Sequence, residues 1–121
     1  MTGVVKVCLD EMPWETVRED LRRRIVTGEK LMLAHLSFRK GSKVVMHRHH
    51  HEQFTVVLQG SVRFTLEDGS HFVAKKGEVV VIPSNIGHAA EALEDSYTFD
   101  IFSPPREDWV AGRDDYLKQR T

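Results

Sequence analysis

The 121-residue sequence has one cysteine, few aromatic residues and no long apolar run. A lone thiol, Cys8, cannot form an intrachain disulfide, so no disulfide framework supports the fold. The first residues lack the basic segment and apolar core of a signal peptide, which predicts a cytoplasmic protein. Apolar stretches such as Val79–Ile82 fall far short of the roughly 20 residues that span a bilayer. We therefore expect a soluble protein.

The sequence also has no excess of positive or negative charge. The 17 Lys and Arg residues are balanced by 18 Asp and Glu residues, which gives a net charge of -1. Such a surface does not attract nucleic acid or anionic membranes, so we expect neither as a partner. A small neutral or acidic ligand remains possible. A chain of this length typically forms one domain, which we predict over residues 1–121.

Short strand patterns fill the sequence between Leu31 and Ser103. Runs of β-branched and aromatic residues alternate with glycine-containing turns at short, regular intervals. Residues 54–58 and 62–66 flank the turn Gln59-Gly60-Ser61, which predicts a hairpin. Further strands are predicted at residues 78–82, 89–93 and 97–102. Seven or eight such strands predict an all-β sandwich or barrel that leaves few free edges.

The beginning of the chain carries a weaker pattern. Trp14, Val17, Leu21 and Ile25 recur at helical spacing, and we expect weak helix or loop in the first part of this region. Residues 22–27 read instead as a strand. The barrel core is therefore predicted over residues 22–103.

The end of the chain reads as a tail on this barrel. Pro104-Pro105 ends the last strand, because proline cannot donate to a ladder. Residues 108–118 have the pattern of one or two short helical turns. We predict that the tail, residues 104–121, packs Trp109 and Tyr116 onto the barrel.

Histidines are concentrated at residues 47–51. His47 and His49 are two residues apart, so an extended strand projects both from one face, roughly 6 to 7 Å apart. Gln53 begins the next predicted strand, and His88 follows a proline–glycine turn. Imidazole nitrogens with an oxygen donor suit Zn, Ni, Fe, Mn or Cu, whereas Ca and Mg prefer oxygen ligands. We predict one divalent transition metal bound by His47, His49, Gln53 and His88.

The other histidines are weaker candidates. His50 and His51 are expected at the surface or in support of the ligands. His35 and His71 stand alone in strand context, where a histidine is more often structural or exposed than functional.

Two stretches of the sequence resemble the two motifs of the cupin superfamily. The residues that match at the family's spacing are Gly41, His47, His49, Gln53, Gly60, Gly77, Pro83 and His88. The resemblance implies a double-stranded β-helix, which is a jelly-roll barrel with the metal inside. Three positions depart from the pattern. Gln53 replaces the usual glutamate ligand, Asn85 stands where glycine is common, and Ala92 stands where asparagine is frequent.

The glutamine at position 53 has a physical consequence for the predicted metal. A neutral amide oxygen leaves the ion its full divalent charge, whereas a glutamate ligand would reduce it. Water bound to such a centre is more acidic, and the centre is a stronger Lewis acid. Oxygen-activating iron chemistry, which anionic ligands favour, suits it less. The sequence thus favours Lewis-acid chemistry over dioxygenase chemistry.

The resemblance narrows to the small single-domain cupins of the KdgF type, which act in pectin degradation. In that group the first motif reads His-x-His-x-His-Glu-Gln, as residues 47–53 do here, with glutamine as the fourth ligand. The family's run Asp-x-Phe-Ser-Pro-x-Arg is matched by residues 100–106. Shorter similar segments at 23–24, 28–29, 91–95 and 107–117 extend the resemblance over nearly the whole chain.

This resemblance implies an enzyme that opens 4,5-unsaturated galacturonate, or its alginate counterpart, to the linear keto form, 4-deoxy-L-threo-5-hexosulose uronate. Asp100 would be the acid/base, Phe102 would shape the ring site and Arg106 would bind the substrate carboxylate. Asp100 and Phe102 lie two apart on the last strand, so both should face inwards, where burial raises a carboxyl pKa. From the residues alone, Asp100 could equally pair with a buried arginine, Phe102 could be core, and Arg106 could cap a turn.

Other functions stay open at this stage. Small glutamine-containing cupins also resemble polyketide cyclases, whose pocket should be larger and more aromatic than an aromatic content of 8% indicates. A non-catalytic cupin that binds a metal and a small molecule is a second alternative, and a degenerate metal-free cupin is a third. The ligands do not decide between Ni, Zn, Fe and Mn. By analogy with similar barrels, we expect a homodimer.

Overall fold

The computed structural model describes residues 3–119, and the strands within them form two antiparallel sheets. The larger sheet contains, in spatial order, β1 (Glu15–Arg18), β2 (Leu21–Thr27), β3 (Met32–Phe38), β10 (Ser96–Ser103), β5 (Glu52–Gln59) and β8 (Val79–Ile82). The smaller sheet contains β4 (Lys43–His47), β9 (His88–Ala92), β6 (Ser61–Leu66) and β7 (His71–Lys75). The predicted all-β jelly-roll barrel is confirmed, with eight strands between Leu31 and Ser103.

The inward faces of the two sheets enclose a core that is mostly apolar. Polar side chains enter it where β5 and β10 pair. On β10, Phe102 is buried with its strand neighbours Asp100 and Thr98. On β5, Thr55 lies opposite Asp100 and Gln53 lies opposite Phe102. Directly opposite residues of an antiparallel pair share one face. The register of β5 against β10 therefore brings these polar groups together inside the barrel.

The predicted hairpin of residues 54–58 with 62–66 is wrong. The first segment lies in β5, which pairs with β10 and β8, and the second lies in β6, which pairs with β9 and β7. At Gly60, with φ +90°, the chain turns a corner between the sheets, and a Cβ there would overlap the side chain of Ser96. A hairpin and a sheet corner share the same local signal, which is alternation around a glycine turn. Only the distant partners β9 and β10 distinguish them.

The expectation of weak helix or loop before residue 22 is also wrong in part. Besides a 3-10 helix at Leu9–Glu11, this region contains the strand β1, so the barrel begins at Glu15 rather than at residue 22. Val17 and Leu21 recur at helical spacing because a tight connection reverses the chain between them and both point inwards. The strand predicted over residues 22–27 is confirmed as β2.

The tail matches its prediction. It forms α1 (Glu107–Val110) and a 3-10 helix at Asp115–Lys118, and it packs Trp109 and Tyr116 against the core cluster. Arg18 secures the end of the tail by donating to the carbonyl oxygen of Leu117 at 2.8 Å. Residues 1, 2, 120 and 121 of the predicted domain lie outside the described residues. Over residues 3–119, no helix is long and apolar enough to cross a membrane.

Candidate metal centre

Three histidines meet at one end of the barrel interior, and we call them the buried triad: His47, His49 and His88. His88 is buried, and His47 and His49 are half-buried. His47 ends β4 and lies directly opposite His88, the first residue of β9. His49 lies in the connection between β4 and β5, two residues beyond the end of β4. The spacing of His47 and His49 predicts both on one strand, and only His47 is on it. The ring centroids lie 4.3 to 5.6 Å apart, and the ligand atoms of the three side chains lie within 4.8 Å of one another.

Each imidazole of the buried triad uses its Nδ1 to donate to a backbone carbonyl oxygen. The acceptors are the carbonyls of Val45 for His47, Ile86 for His88 and His51 for His49, at 2.8, 2.8 and 3.1 Å. The proton on Nδ1 leaves the lone pair of Nε2 available. In His88, Nε2 is buried and has no hydrogen-bond partner. This is the arrangement in which proteins orient histidine ligands towards a metal ion.

The electrostatic environment keeps these imidazoles neutral. Burial, followed by the neighbouring His88, lowers the pKa of His47 to about 3. Burial and the positive charge of Arg106 lower the pKa of His49 to about 4. Burial also lowers the pKa of His88. Neutral imidazole is the form that binds metal ions, so the donor set is ready at any physiological pH.

Gln53 joins the triad through its side-chain oxygen. Its Nε2 donates to the hydroxyl of Thr55 at 2.9 Å and lies 3.5 Å from Oδ2 of Asp100, which directs Oε1 towards His49. Oε1 lies 3.2 Å from Nε2 of His49, and we assign the one proton of this neutral ring to Nδ1, because the carbonyl of His51 is the nearer acceptor at 3.1 Å. Two acceptors face each other at this distance, and a cation between them would satisfy both. The residues present therefore fit a divalent transition metal with three imidazole ligands and one amide ligand.

The turn before β9 fixes the position of His88. Asn85 has φ +64°, a left-handed conformation in which asparagine is tolerated far better than most residues. This explains how asparagine can replace the glycine that is common in the family at this position. The backbone N–H of Asn85 donates to the carbonyl oxygen of His49 at 2.8 Å. The two segments that carry the triad are thus joined directly to each other.

A second group of three potential ligands lies beside the first, and we call it the surface triad: His50, His51 and Glu107. His50 and Glu107 are exposed, whereas His51 is buried. The Nε2 atoms of His50 and His51 lie 2.9 and 2.8 Å from the two carboxylate oxygens of Glu107. These hydrogen bonds attach the ligand-bearing loop to the first residue of α1. The expectation that His50 and His51 support the ligands fits this placement, since the carbonyl of His51 also accepts from His49.

The two isolated histidines lie away from the site. His71 is exposed on β7. His35 lies on the outer face of the larger sheet, where its ring centroid is 5.0 Å from that of Trp14 and its buried Nδ1 has no hydrogen-bond partner.

Asp100 lies inside the barrel next to Gln53, as its strand position predicts. Only 9% of the residue is exposed, and burial raises the pKa of its carboxyl group to about 6 against the opposing effect of hydrogen bonds from Thr55 and Thr98. The predicted inward direction and raised pKa are both confirmed. A carboxyl group with this pKa exchanges protons readily near neutral pH.

Arg106 faces the same cavity, but its guanidinium is already engaged. Its Nε and Nη2 donate to the two oxygens of Asp108 at 2.9 and 2.7 Å, and Nη2 also donates to the hydroxyl of Tyr116. The bidentate fork expected for a substrate carboxylate is thus occupied by Asp108. Asp100, in contrast, is not bound to Arg106 by a hydrogen bond and feels only its positive charge.

The cavity between these groups has a volume of about 50 Å³. Its polar wall consists of His47, His88, Gln53, Asp100, Arg106 and Arg23. Phe102, only 1% exposed, forms part of the apolar wall and stacks edge-on against Trp109. Typical ligand pockets measure roughly 300 to 1,000 Å³. The cavity therefore admits small groups rather than a whole sugar.

Sequence reasoning missed three residues that the fold places at the site. Thr55 binds the amide of Gln53, Tyr116 stacks on His47 with ring centroids 4.5 Å apart, and Arg23 lines the cavity from β2. Thr55 could have been found, because it shares the inward face of β5 with Gln53. Local sequence does not place Arg23 or Tyr116 at this site, since their positions depend on how β2 and the tail pack against the barrel.

The fold and the site together define a class: a two-sheet β barrel with three histidines and an amide oxygen directed into one end of its interior. A family model for the cupin domain matches residues 34–102, and the chain belongs to the cupin family.

Individual cupins are similar to this chain over most of its length. The pectin degradation protein KdgF of Dickeya dadantii is 34% identical over 104 residues, which cover 84% of this chain and 94% of that protein. The structure of KdgF from Halomonas sp. is 33% identical, with a TM-score of 0.79 over 84% of this chain and 94% of that one. An RmlC-like cupin from Shewanella frigidimarina is 28% identical, with a TM-score of 0.80 over 86% and 94% of the two chains. The resemblance to KdgF-type cupins is thus confirmed.

Proposed function

We propose that this protein is a metal-dependent isomerase that opens 4,5-unsaturated galacturonate, or a closely related unsaturated uronate, to its linear keto form. One observation carries the proposal. A carboxyl group with its pKa raised to about 6, Asp100, lies beside a set of neutral metal-binding side chains in a cavity that Arg106 also lines. The similarity to KdgF, a protein named for pectin degradation, supports the substrate class.

The reaction is a rearrangement that needs proton transfer and no oxidant. The hemiacetal hydroxyl at C1 loses a proton, the bond between C1 and the ring oxygen breaks, and C4 of the enol gains a proton as C5 becomes a ketone. A metal ion held by His47, His49, Gln53 and His88 would polarise a sugar oxygen. The chain's own acid/base group is Asp100, because it is buried, adjacent to the metal ligands and able to accept or release a proton near neutral pH.

The other two assigned residues support this chemistry. Phe102 lies directly across the strand pair from Gln53 and gives the part of the substrate that enters the cavity an apolar wall. Arg106 adds positive charge to the cavity although Asp108 occupies its fork, so its role is electrostatic attraction of the acidic substrate. Both roles follow from position and charge.

The test is an assay with the protein loaded separately with Ni, Zn, Mn or Fe. Unsaturated galacturonate absorbs through its enol double bond, and we expect the protein to accelerate the loss of this absorbance. Asp100→Asn should lower kcat by about 100-fold or more, the range of general acid–base catalysis. Asp115→Asn, an exposed change in the tail, is the matched control and should leave kcat unchanged.

Two results would argue against the proposal. If the protein accelerates the reaction with none of these metals, unsaturated uronate is not its substrate, and a non-catalytic metal-binding cupin becomes the better interpretation. Full activity in folded, metal-loaded Asp100→Asn would remove Asp100 as the acid/base.

We also propose a homodimer that forms through the outer face of the larger sheet. Phe54, Val79 and Val81 point outwards on β5 and β8 and are 41, 53 and 53% exposed. Covering such an apolar patch is favourable in water. Light scattering should give a dimer mass for the wild type and a monomer mass for Val81→Asp. We keep the cytoplasm as the proposed location, which cell fractionation would test.

A further inference from the structure

A second arginine, besides Arg106, faces the metal cavity. Arg23 lies on β2, with its neighbours Arg22 and Arg24 directed away from the interior, and only 5% of it is exposed. Its guanidinium carbon lies 4.8 Å from the ring centroid of Trp109. The guanidinium forms ion pairs with Asp114, at 2.6 Å from Nη2, and with the exposed Glu15.

One part of this guanidinium has no partner. Nη1 of Arg23 is buried and makes no hydrogen bond. Buried donors that carry charge are rarely left unpaired, because the loss of hydration is not compensated. The ion pairs with Asp114 and Glu15 give partners only to Nη2 and Nε of Arg23. A hydrogen-bond acceptor from outside the chain would give Nη1 a partner.

Arg23 stands at the boundary between the cavity and the solvent. A surface groove of about 310 Å³ lies on the other side of it, between β1 and the tail. Arg23, Val17 and Trp109 line both the groove and the metal cavity. The cavity alone, at about 50 Å³, is too small for a sugar, whereas the groove reaches the lower limit of common ligand sites, roughly 300 Å³.

We infer that this groove is the entrance for the substrate and that Arg23 binds its carboxylate between the groove and the metal cavity. This inference rests on the proposed function, because it assigns the carboxylate subsite of the same substrate. Guanidinium groups recognise carboxylates through short, charge-assisted hydrogen bonds. Arg106 also uses its Nε and Nη2, to bind Asp108, but of the two described arginines that line the cavity only Arg23 has a buried guanidinium nitrogen, Nη1, without a partner.

A purely structural role for Arg23 is the competing explanation. Its ion pair with Asp114 attaches the tail to β2, and losing that attachment would loosen the whole site. The variant Asp114→Asn separates the two roles. It breaks the ion pair and leaves Arg23 in place, so a structural role predicts the same defect in Asp114→Asn as in Arg23→Gln.

The experiment measures binding, so that it does not depend on turnover. The probes are galacturonate, which has the carboxylate but no double bond, and galactose, its neutral counterpart. Both are titrated by calorimetry into the metal-loaded wild type, Arg23→Gln, Asp114→Asn and the exposed control Arg22→Gln. Metal content and melting temperature are recorded for each variant to confirm that the site is intact.

We expect the wild type to bind galacturonate more tightly than galactose. Arg23→Gln should weaken galacturonate binding about ten- to a hundredfold, the typical effect of losing a charge-assisted hydrogen bond, and leave galactose binding unchanged. Asp114→Asn and Arg22→Gln should keep the preference for galacturonate. If Arg23→Gln fails to fold, Arg23→Lys takes its place in the experiment. It keeps the positive charge and should retain part of the preference for galacturonate.

Three results would overturn the inference: a wild type that does not prefer galacturonate, an Arg23→Gln variant that keeps the preference, or an equal loss in Asp114→Asn. Failure of the proposed function is a separate result, because an inactive protein that still prefers galacturonate through Arg23 would retain the subsite and lose only the reaction.

Discussion

The buried triad and the surface triad are neighbours in sequence and in space, yet their histidines are used in opposite ways. His47, His49 and His88 give Nδ1 to backbone carbonyls and keep Nε2 for a ligand. His50 and His51 use Nε2 to bind the two carboxylate oxygens of Glu107, so these nitrogens are already engaged by a group of the protein. The buried triad is therefore the better candidate for a metal site, because backbone carbonyls hold the other ring nitrogens and orient Nε2.

The two triads also differ in the pKa of their carboxyl group, which is Asp100 beside the buried triad and Glu107 within the surface triad. Burial raises the pKa of Asp100, beside the buried triad, to about 6. Hydrogen bonds from His50 and His51 lower the pKa of the exposed Glu107 to about 2. One carboxyl group is poised to exchange a proton near neutral pH, whereas the other is permanently ionised and serves as an attachment for the tail.

Removal of a ligand from the buried triad should have the largest effect. Zinc sites with four ligands bind with about 10 to 16 kcal/mol, so loss of His88 in His88→Ala should cost roughly 3 to 4 kcal/mol, or about 100- to 1,000-fold in metal affinity. Titration calorimetry with Ni or Zn measures this change. His50→Ala is the control from the surface triad, and equal losses in both variants would contradict the distinction between the triads.

Replacement of Asp100 should stabilise the metal-free protein at high pH. Its pKa in the folded protein, about 6, exceeds the ordinary aspartate value of 3.8, so the ionised form is penalised on folding by about 2 to 3 kcal/mol. Asp100→Asn should gain this stability at pH 8, lose the gain as pH falls through 6, and match the wild type below pH 4. Urea unfolding at several pH values measures it. A gain that does not depend on pH would contradict the assignment.

The turn that joins the two ligand-bearing segments should tolerate glycine but not alanine. Asn85 has φ +64°, which costs an ordinary residue about 1 to 2 kcal/mol. Asn85→Ala should therefore lower the free energy of unfolding by about this amount and weaken metal binding, because the turn positions His88. Asn85→Gly serves as its control and should be close to the wild type in both measurements.

Disruption of the surface triad should have the smallest effect. Glu107→Gln removes a half-exposed carboxylate that accepts from the exposed His50 and the buried His51, and such partly solvated contacts are worth at most about 1 kcal/mol. The melting temperature should fall slightly, and metal affinity should be unchanged. A large loss of metal from Glu107→Gln would show that the surface triad supports the metal centre directly.

Much of the site could be predicted from the sequence because its residues lie in short local patterns. His47, His49 and Gln53 fall within seven positions, and Asp100 and Phe102 alternate on one strand. The period of two that governs strands placed Asp100 inside, and burial then fixed the direction of its pKa shift. The occupied fork of Arg106 could not be predicted, since Asp108 binds it only in the observed geometry of the tail.

The errors in the fold have one cause. Gly60 gives the same local signal in a hairpin as at a corner between two sheets, and Val17 and Leu21 give the same spacing in a helix as in two reversed strands. Each ambiguity is resolved by pairing with distant segments, such as β10 for β5 and β9 for β6. Local propensity contains no information about these partners.

The sequence by itself determined the all-β character of this protein, its family and the donor set of the candidate metal centre, because these depend on residue type and short spacing. The tertiary structure alone decided which nitrogen of each histidine is free, since carbonyls from separate turns accept the other one. It also decided that Arg23, from the second strand, borders the cavity. Contacts between segments far apart in the chain depend on how the whole barrel closes.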